Sequence, residues 1–282
     1  MISVFTAEIE VLKTDSSKPA TCLNEPAHLV VENVAVAYGG KAALGDVSFC
    51  VPVGTRVAVI GPNGAGKSTL FKALAGLLPL QSGNISIHGF PLGHHEDCVA
   101  YIPQREEVDW QFPVTVSEVV AMGRYGRLGW LRRPGKRDKT IVARSIEQLG
   151  ISDLAHRPLG SLSGGQQQRA FLARALVQEP HILLMDEPFT GVDIATQESM
   201  LAFFDQLQKQ EVTVLVSTHD LKLAATNFDH VLLLNRHLIA YGPSDRVLTS
   251  EHLMEAFGGQ VLLLNGAVVV DKAIHKGKSR EE

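Results

Sequence analysis

The stretch GPNGAGKST combines two glycines, a lysine and a hydroxyl group at the spacing G-x-x-x-x-G-K-[ST]. Glycines in such a loop let backbone N–H groups surround a phosphate, and the start of the following helix carries positive partial charge. Lys67 would neutralise the β- and γ-phosphates, and the Ser68 hydroxyl group can reach Mg²⁺. The pattern predicts a nucleotide site formed by Gly61, Pro62, Asn63, Gly64, Ala65, Gly66, Lys67, Ser68 and Thr69.

A second candidate stretch, HILLMDEP, is an apolar run that ends in the carboxylates Asp186 and Glu187. Asp186 suits a ligand of Mg²⁺, directly or through water, and Glu187 suits a general base that orients an attacking water. The alternative is a strand that ends in solvated acids. His219, in STHD, follows another apolar run and by itself is explained as an ordinary loop histidine.

The third stretch, LSGGQQQR, opens a helix predicted from Gly164 to Gln178, before Pro180. The start of a helix leaves N–H groups free and favours anions. The chain therefore has two predicted anion-binding helix starts, about a hundred residues apart.

The elements that must position these residues alternate between strands and helices. LVVENVAVAY, DVSFCVPV, RVAVI, NISIHGF and VAYIPQ have strand patterns. Later, HILLMD, VTVLVS and VLLL alternate with helical segments, which predicts a mainly parallel sheet with helices packed on it. Between them, residues 105–160 are predicted to form a helical insert, with capping-box spacing at Thr115 and Glu118 and a helix end at Gly150.

The two ends of the chain differ from this alternating part. Residues 1–27 are polar and lack periodicity, which predicts a mobile tail. VLLLNRHLIAYG and VLLLNGAVVV predict two hairpins, and the second lies in a C-terminal segment, 256–282, that ends in a charged tail.

Composition excludes several classes of protein. The formal net charge of −4 and the pI of about 6.3 argue against a general nucleic-acid binder. The three cysteines are scattered, so neither a disulfide framework nor a thiolate zinc site is predicted, and a reducing cytosol fits. The apolar runs are shorter than a membrane span, and the N-terminus does not have the pattern of a secretory signal. Work at a membrane would need another subunit.

Taken together, the motifs resemble the nucleotide-binding subunit of ABC transporters over about residues 29–250. In chain order they are Tyr38, GPNGAGKST, IPQ ending at Gln104, LSGGQ, LLMDEP, GVD ending at Asp193, and STHD. LSGGQ is the most specific. The resemblance implies an α/β P-loop NTPase cassette at 28–255, with a mainly parallel sheet, an antiparallel β subdomain and a helical subdomain at 105–160.

The resemblance also implies the cofactors ATP and Mg²⁺ and a head-to-tail homodimer. Each ATP would lie between the phosphate loop (residues 61–66) of one chain and the LSGGQ helix of the other. Catalysis would fall to Glu187, His219, Gln104 and Lys67, and Mg²⁺ would bind Ser68, Gln104 and Asp186. Tyr38 would stack on adenine, Asp193 would lie at the dimer seam, and Ser163, Gly164, Gly165 and Gln166 would contact the second nucleotide. TGVD departs from the commoner S-x-L-D form, and Asp193 is the position at which it keeps the family's residue.

Within the insert, the segment Val108–Asp138 is similar to the ATPase subunits of manganese, zinc and iron importers. That similarity implies integral membrane permease subunits, an extracytoplasmic metal-binding protein, no nucleic acid, and a place on the cytoplasmic face of the cell membrane. Three alternatives remain open: an iron-chelate or cobalamin importer, a soluble ABC ATPase such as one for iron–sulfur-cluster assembly, and a nucleic-acid-linked ABC ATPase.

Two further features of the sequence allow alternatives. The insert is basic, with Tyr125 and Trp130 among the charges, and could face anionic headgroups or the permease, contact nucleic acid, or be a solvated face. Its basic residues are Arg124, Arg127, Arg132, Arg133, Lys136, Arg137 and Lys139. GHHEDC, 93–98, could bind a metal, but His94 and His95 diverge in an extended segment, which favours a polar loop.

Overall fold

A six-stranded sheet forms the centre of the computed structural model, which describes residues 27–94, 98–110, 112–128, 134–258, 261–264 and 267–270. The strands of the described chain are β1 (Ala27–Tyr38), β2 (Lys41–Pro52), β3 (Arg56–Ile60), β4 (Ser82–Ile87), β5 (Phe90–Pro91), β6 (Val99–Ile102), β7 (Ile182–Met185), β8 (Thr213–Ser217), β9 (His230–Asn235), β10 (His237–Gly242), β11 (Val261–Leu264) and β12 (Ala267–Val270). The six-stranded sheet has the order β10-β9-β3-β8-β7-β6, and its strands are parallel except for β10. The predicted α/β class is confirmed.

Helices cover this sheet, which is why β3, β7 and β8 are almost continuously apolar. The α-helices of the described chain are α1 (Lys67–Leu74), α2 (Val116–Met122), α3 (Tyr125–Leu128), α4 (Lys136–Gln148), α5 (Gly164–Leu176), α6 (Ile194–Lys209), α7 (Leu221–Asn227), α8 (Ser244–Val247) and α9 (Ser250–Phe257). Parallel pairing brings the carboxyl ends of β3, β7 and β8 to one edge of the sheet. The phosphate loop, Asp186 and Thr218 follow those ends.

The second sheet is antiparallel, with the order β2-β1-β4-β5. Strands β1 and β2 meet at a two-residue turn, Gly39–Gly40, in which both glycines have positive φ. Its buried side chains, Phe49 among them, share one core with α1 and one face of the central sheet. The antiparallel sheet therefore packs beside the phosphate loop.

The region between β6 and β7 is helical over its described residues, which form α2 to α5 and short 3₁₀ turns. The predicted capping box is present, because Thr115 and Glu118 each bond the other's backbone N–H. Gly150 follows α4 with a φ of +64°. The helix predicted over Gly164–Gln178 ends two residues earlier, at Leu176, within the usual variation of helix ends.

Several expectations need correction or lie outside the described residues. Of the scattered cysteines, Cys98 is a buried thiol. Strand β1 begins at Ala27, one residue inside the predicted tail. The predicted C-terminal hairpin is present as β11–β12. Among the described residues, no helix has both the length and the apolar composition that a membrane span requires.

The basic face predicted for the insert is only partly present. Arg124 is 5% exposed and is paired with Asp138 and Glu179, so it is a buried structural residue rather than part of a basic surface. Arg127 is also paired with Glu179. Trp130, Arg132 and Arg133 lie outside the described residues, as do residues 95–97 of GHHEDC.

Candidate nucleotide site

The phosphate loop follows β3 and leads into α1, and close packing requires glycine at two of its positions, Gly61 and Gly66. A Cβ atom on Gly61 would lie 2.1 Å from the carbonyl oxygen of Leu234. Gly66 has a φ of +95°, and a Cβ atom there would lie 2.5 Å from Leu44 Cδ2. The backbone N–H of Arg236 donates to Ala65 O at 2.8 Å, which ties the loop to the β9–β10 hairpin.

Lys67 is buried at the start of α1, and its ammonium group is held by the loop itself. Lys67 Nζ donates to the carbonyl oxygens of Gly61 at 2.8 Å and Pro62 at 3.1 Å. Burial lowers the pKa of Lys67, while the carboxylates of Glu187 and Asp186 act in the opposite direction. A bound phosphate would add the charge partner that this buried cation needs.

Asp186 and Glu187 follow β7, and Ser217 at the end of β8 connects them. The Ser217 hydroxyl group donates to Asp186 Oδ1 and accepts the Glu187 backbone N–H, the latter at 2.8 Å. Glu187 has a φ of +48°, which an L residue rarely adopts and which costs roughly 1–3 kcal/mol. Thr190 Oγ1 also donates to Glu187 Oε2 at 3.2 Å. The Glu187 carboxylate is thus fixed above the sheet edge.

The oxygen atoms at this edge fit a bound Mg²⁺ ion. Asp186 is 1% exposed, and its Oδ2 is a buried acceptor with no hydrogen-bond partner in the described structure. A buried carboxylate oxygen in this state has room for a partner, which a cation or a water molecule can supply. The hydroxyl group of Ser68 and the side-chain carbonyl of Gln104 are of the oxygen type that Mg²⁺ prefers.

A cavity of about 910 Å³ lies over the phosphate loop and brings several predicted residues together. It is lined by Asn63, Gly64, Ala65, Gly66, Lys67, Ser68, Thr69, Gln104, Glu187, Lys41, Ala42, Ala43, Glu106 and Arg236. Tyr38 does not line it, but is 48% exposed and pairs with Lys41 across the β1–β2 turn. Tyr38 therefore stands next to the lining residues of β2.

His219 belongs to a smaller neighbouring cavity of about 90 Å³, which Glu187 and Ser217 also line. Glu187 is shared by the two cavities. The structure therefore places an exposed histidine beside Glu187, in a cavity distinct from the one over the phosphate loop.

The LSGGQ residues are not among those that line the cavity that contains Lys67. Ser163 caps α5 and forms a capping box with Gln166. Gly164 and Gly165 are tightly packed, since Cβ atoms would lie 2.9 Å from Arg105 Nη1 and 2.8 Å from Thr196 Oγ1. Asp193 caps α6, where its carboxylate accepts from the backbone N–H and the hydroxyl of Thr196, both at 2.8 Å.

Sequence reasoning missed several residues that the structure places at the site. Ser217 joins the Asp186 carboxylate to the backbone N–H of Glu187, although only its place in STHD signalled it. Lys41, Ala42 and Ala43 line the cavity because β2 packs beside the loop, and Arg236 reaches it from the β9–β10 turn. These contacts depend on which strands are neighbours, and no local pattern carries that information.

Residues 44–190 match the family model described as ABC transporter, which is more than half of the chain. The chain belongs to the ABC transporter family. This ABC protein is 49% identical, over 82% of its length and 87% of the relative, to the zinc transport system ATP-binding protein TroB of Treponema pallidum. It is 46% identical to the manganese transport system ATP-binding protein MntB of Bacillus subtilis, over 86% of the chain and 96% of the relative.

A solved structure agrees with the same assignment. The ADP conformation of MJ1267, an ATP-binding cassette of an ABC transporter, superposes with a TM-score of 0.70 at 26% identity, covering 83% of this chain and 99% of that one. This ABC protein is therefore an ATP-binding cassette with the fold expected from its motifs, and it is an ABC-type ATPase.

Proposed function

We propose that this ABC ATPase powers the uptake of a transition metal ion, manganese, zinc or iron, through a separate membrane permease. The observation that carries the proposal is the identity of 46–49% to zinc and manganese transport ATP-binding proteins over most of both chains. The segment Val108–Asp138, which resembles metal-importer ATPases, supports it independently of the shared catalytic motifs.

ATP would bind in the cavity above the phosphate loop. The backbone of residues 61–66 surrounds the phosphates, and Lys67 exchanges its bonds to Gly61 and Pro62 for bonds to phosphate oxygens. Tyr38, beside the cavity, stacks on adenine. Bound Mg²⁺, held by Ser68, Gln104 and Asp186, would supply neutralisation of phosphate charge.

Hydrolysis requires one water molecule aligned with the γ-phosphate. The Glu187 carboxylate accepts a proton of that water, and its fixed backbone holds the carboxylate in one place. His219, in the cavity shared with Glu187, donates to the γ-phosphate and keeps the water in line. Gln104 contacts the same water and links it to the helical region that would meet the permease.

Two copies of the chain would close head-to-tail around two ATP molecules. The exposed start of α5 offers the N–H groups of Gly164 and Gly165 to a nucleotide, but lies outside the chain's own cavity, and a second copy supplies the nucleotide that fits it. Ser163 and Gln166 form the capping box of this helix start. Asp193 lies at the interface between the two copies. Hydrolysis removes the γ-phosphate, whose negative charge is neutralised only when both chains contact the ATP, and the dimer can then open.

The ATPase would act on the cytoplasmic face of the cell membrane, bound to integral permease subunits. An extracytoplasmic metal-binding protein would deliver the cargo to the permease. The ATPase itself need not contact that cargo, so the nucleotide site does not select the metal.

The test measures the metal content of cells under metal limitation by elemental mass spectrometry. Cells with wild-type protein are compared with cells that express Glu187→Gln at the same level, and with the control Glu211→Gln, which changes an exposed glutamate. We expect a selective fall in manganese, zinc or iron with Glu187→Gln alone. Unchanged metal content would contradict metal import, and would favour iron-chelate, cobalamin or soluble-scaffold ATPases.

A further inference from the structure

Three histidines, far apart in the chain, converge at a place remote from the nucleotide cavity. His28 is buried in β1, His88 lies in the β4–β5 turn, and His181 directly precedes β7. His28 Nε2 lies 3.0 Å from His88 Nε2, which in turn lies 2.8 Å from His181 Nδ1. One ligand nitrogen from each residue lies within 4.8 Å of the other two.

Hydrogen bonds among the imidazoles do not satisfy this arrangement. The Thr213 hydroxyl donates to Pro52 O at 3.3 Å, so His28 Nδ1 donates to Thr213 Oγ1 at 2.7 Å, and His28 Nε2 keeps its lone pair. Each imidazole nitrogen carries either one proton or one lone pair. His88 Nε2 therefore forms a good hydrogen bond with only one of its two close neighbours, and one cation bound by all three imidazoles would account for both contacts.

We propose that His28, His88 and His181 form a binding site for one transition-metal ion of the Zn²⁺ type. Zinc binds imidazole nitrogen at about 2.0–2.1 Å, which places two tetrahedral ligands about 3.4 Å apart. The two short N···N distances are close to that value, and His88 and His181 are exposed, so small side-chain rotations complete the geometry. The exposed side leaves a fourth position for water.

The surroundings of the three imidazoles have the features of a supported metal site. The bond from His28 Nδ1 to Thr213 is the outer contact that fixes the tautomer of a metal-binding histidine. Thr213 Oγ1 is itself held by the Gly54 backbone N–H at 3.0 Å. The backbone N–H of His88 donates to His28 O at 2.9 Å, which fixes the position of one ligand relative to another.

The backbone of His88 is also set by its turn. His88 and Gly89 connect β4 to β5 with φ values of +52° and +79°, the form of a two-residue type I′ hairpin. Asparagine or glycine is the usual choice for such a turn, whereas a histidine here brings an imidazole next to His28.

The donor set indicates the class of metal and separates this site from the Mg²⁺ site. Three imidazoles suit Zn²⁺, and also Cu²⁺ or Ni²⁺, whereas Mg²⁺ and Mn²⁺ prefer carboxylate and other oxygen ligands. His181 precedes β7 and Asp186 follows it, so the two places are roughly 16 Å apart along the strand. The proposed ion would join the antiparallel sheet, through β1 and the β4–β5 turn, to the beginning of β7 in the central sheet.

The experiment titrates Zn²⁺ into the nucleotide-free, full-length chain against a competing chelator, with Mg²⁺ and Mn²⁺ as comparison ions. We expect one tightly bound Zn²⁺ per chain. His88→Asn, which tolerates the positive φ, and His181→Asn should each weaken Zn²⁺ binding by at least about tenfold. The matched control is His156→Asn, an exposed histidine of the helical region, which should bind Zn²⁺ like wild type.

Binding of Co²⁺ in place of Zn²⁺ reports the ligands by visible absorption. The wild type and His156→Asn should give the intense bands of a tetrahedral ion, and the two cluster variants should lose them. Circular dichroism and ATP affinity, unchanged within twofold, would show that the variants are folded. The proposal would be overturned if the wild type bound Zn²⁺ no more tightly than His88→Asn does. It would also be overturned if the wild type bound Mg²⁺ as tightly as Zn²⁺.

Discussion

The hydroxyl group of Ser217 donates a hydrogen bond to Asp186 Oδ1 and thereby joins the ends of β8 and β7 at the sheet edge next to the phosphate loop. The hydroxyl oxygen of Ser217 also accepts a hydrogen bond from the backbone N–H of Glu187. Ser217 is fully buried, so each of these bonds is shielded from water. One side chain thus orients the proposed Mg²⁺ ligand and the backbone of the proposed general base.

Ser217→Ala should lower kcat for ATP hydrolysis about tenfold, with ATP affinity changed less than twofold. The Glu187 N–H loses its acceptor and Asp186 Oδ1 loses its donor, and an imperfectly held base costs rate rather than binding. Steady-state ATPase assays and nucleotide titration measure the two quantities. Ser250→Ala, at an exposed serine, is the control, and equal kcat values for both variants would show that Ser217 does not position the base.

Lys67→Ala should weaken ATP binding by about a hundredfold, which corresponds to roughly 2.7 kcal/mol. The triphosphate would lose the buried cation next to its β- and γ-phosphates. Isothermal titration with ATP and Mg²⁺ measures the loss. Lys72→Ala removes a lysine of the same helix that is paired with Glu107, and should bind ATP normally. Tight ATP binding by Lys67→Ala would contradict the assigned role.

The sequence was sufficient for the parts of the site that are local. The glycine pattern and Lys67 predicted the phosphate loop because close packing and positive φ at those positions admit few other residues. The parallel sheet was also predictable, since strands covered on both faces must be apolar throughout. The capping residues Thr115 and Ser163 identified two helix starts for the same reason: a side-chain oxygen must satisfy free N–H groups.

Contacts between distant segments could not be predicted in this way. Ser217 meets Asp186 only because β7 and β8 are neighbours in a particular register, Met185 opposite Val216. His28 and His181 meet through the packing of one sheet on the other. Composition indicated a basic surface around Arg124, but the carboxylate of Asp138, 14 residues further along the chain, neutralises the Arg124 side chain.

Ser163→Arg should leave ATP binding by a single chain intact and block closure of the dimer. The side chain would stand at the exposed start of α5, outside the cavity that contains Lys67, so it obstructs only a nucleotide held by a second copy. In a Glu187→Gln background, light scattering with ATP should show a dimer that Ser163→Arg abolishes and Ser250→Arg retains. Loss of ATP binding by monomeric Ser163→Arg would place α5 at the chain's own nucleotide instead.

Arg124→Ala should lower the free energy of unfolding by about 3 kcal/mol, because breaking a buried ion pair leaves the partner carboxylates without a compensating positive charge. Arg124 donates to Asp138 Oδ1 at 3.0 Å, to Glu179 Oε2 at 3.1 Å and to the Val177 carbonyl at 2.7 Å, so it connects α4 to the end of α5. Urea unfolding measures the change. Arg137→Ala, at an exposed arginine of the same basic segment, should stay within about 0.5 kcal/mol of wild type. Equal unfolding free energies for the two variants would return Arg124 to the surface role that composition indicated.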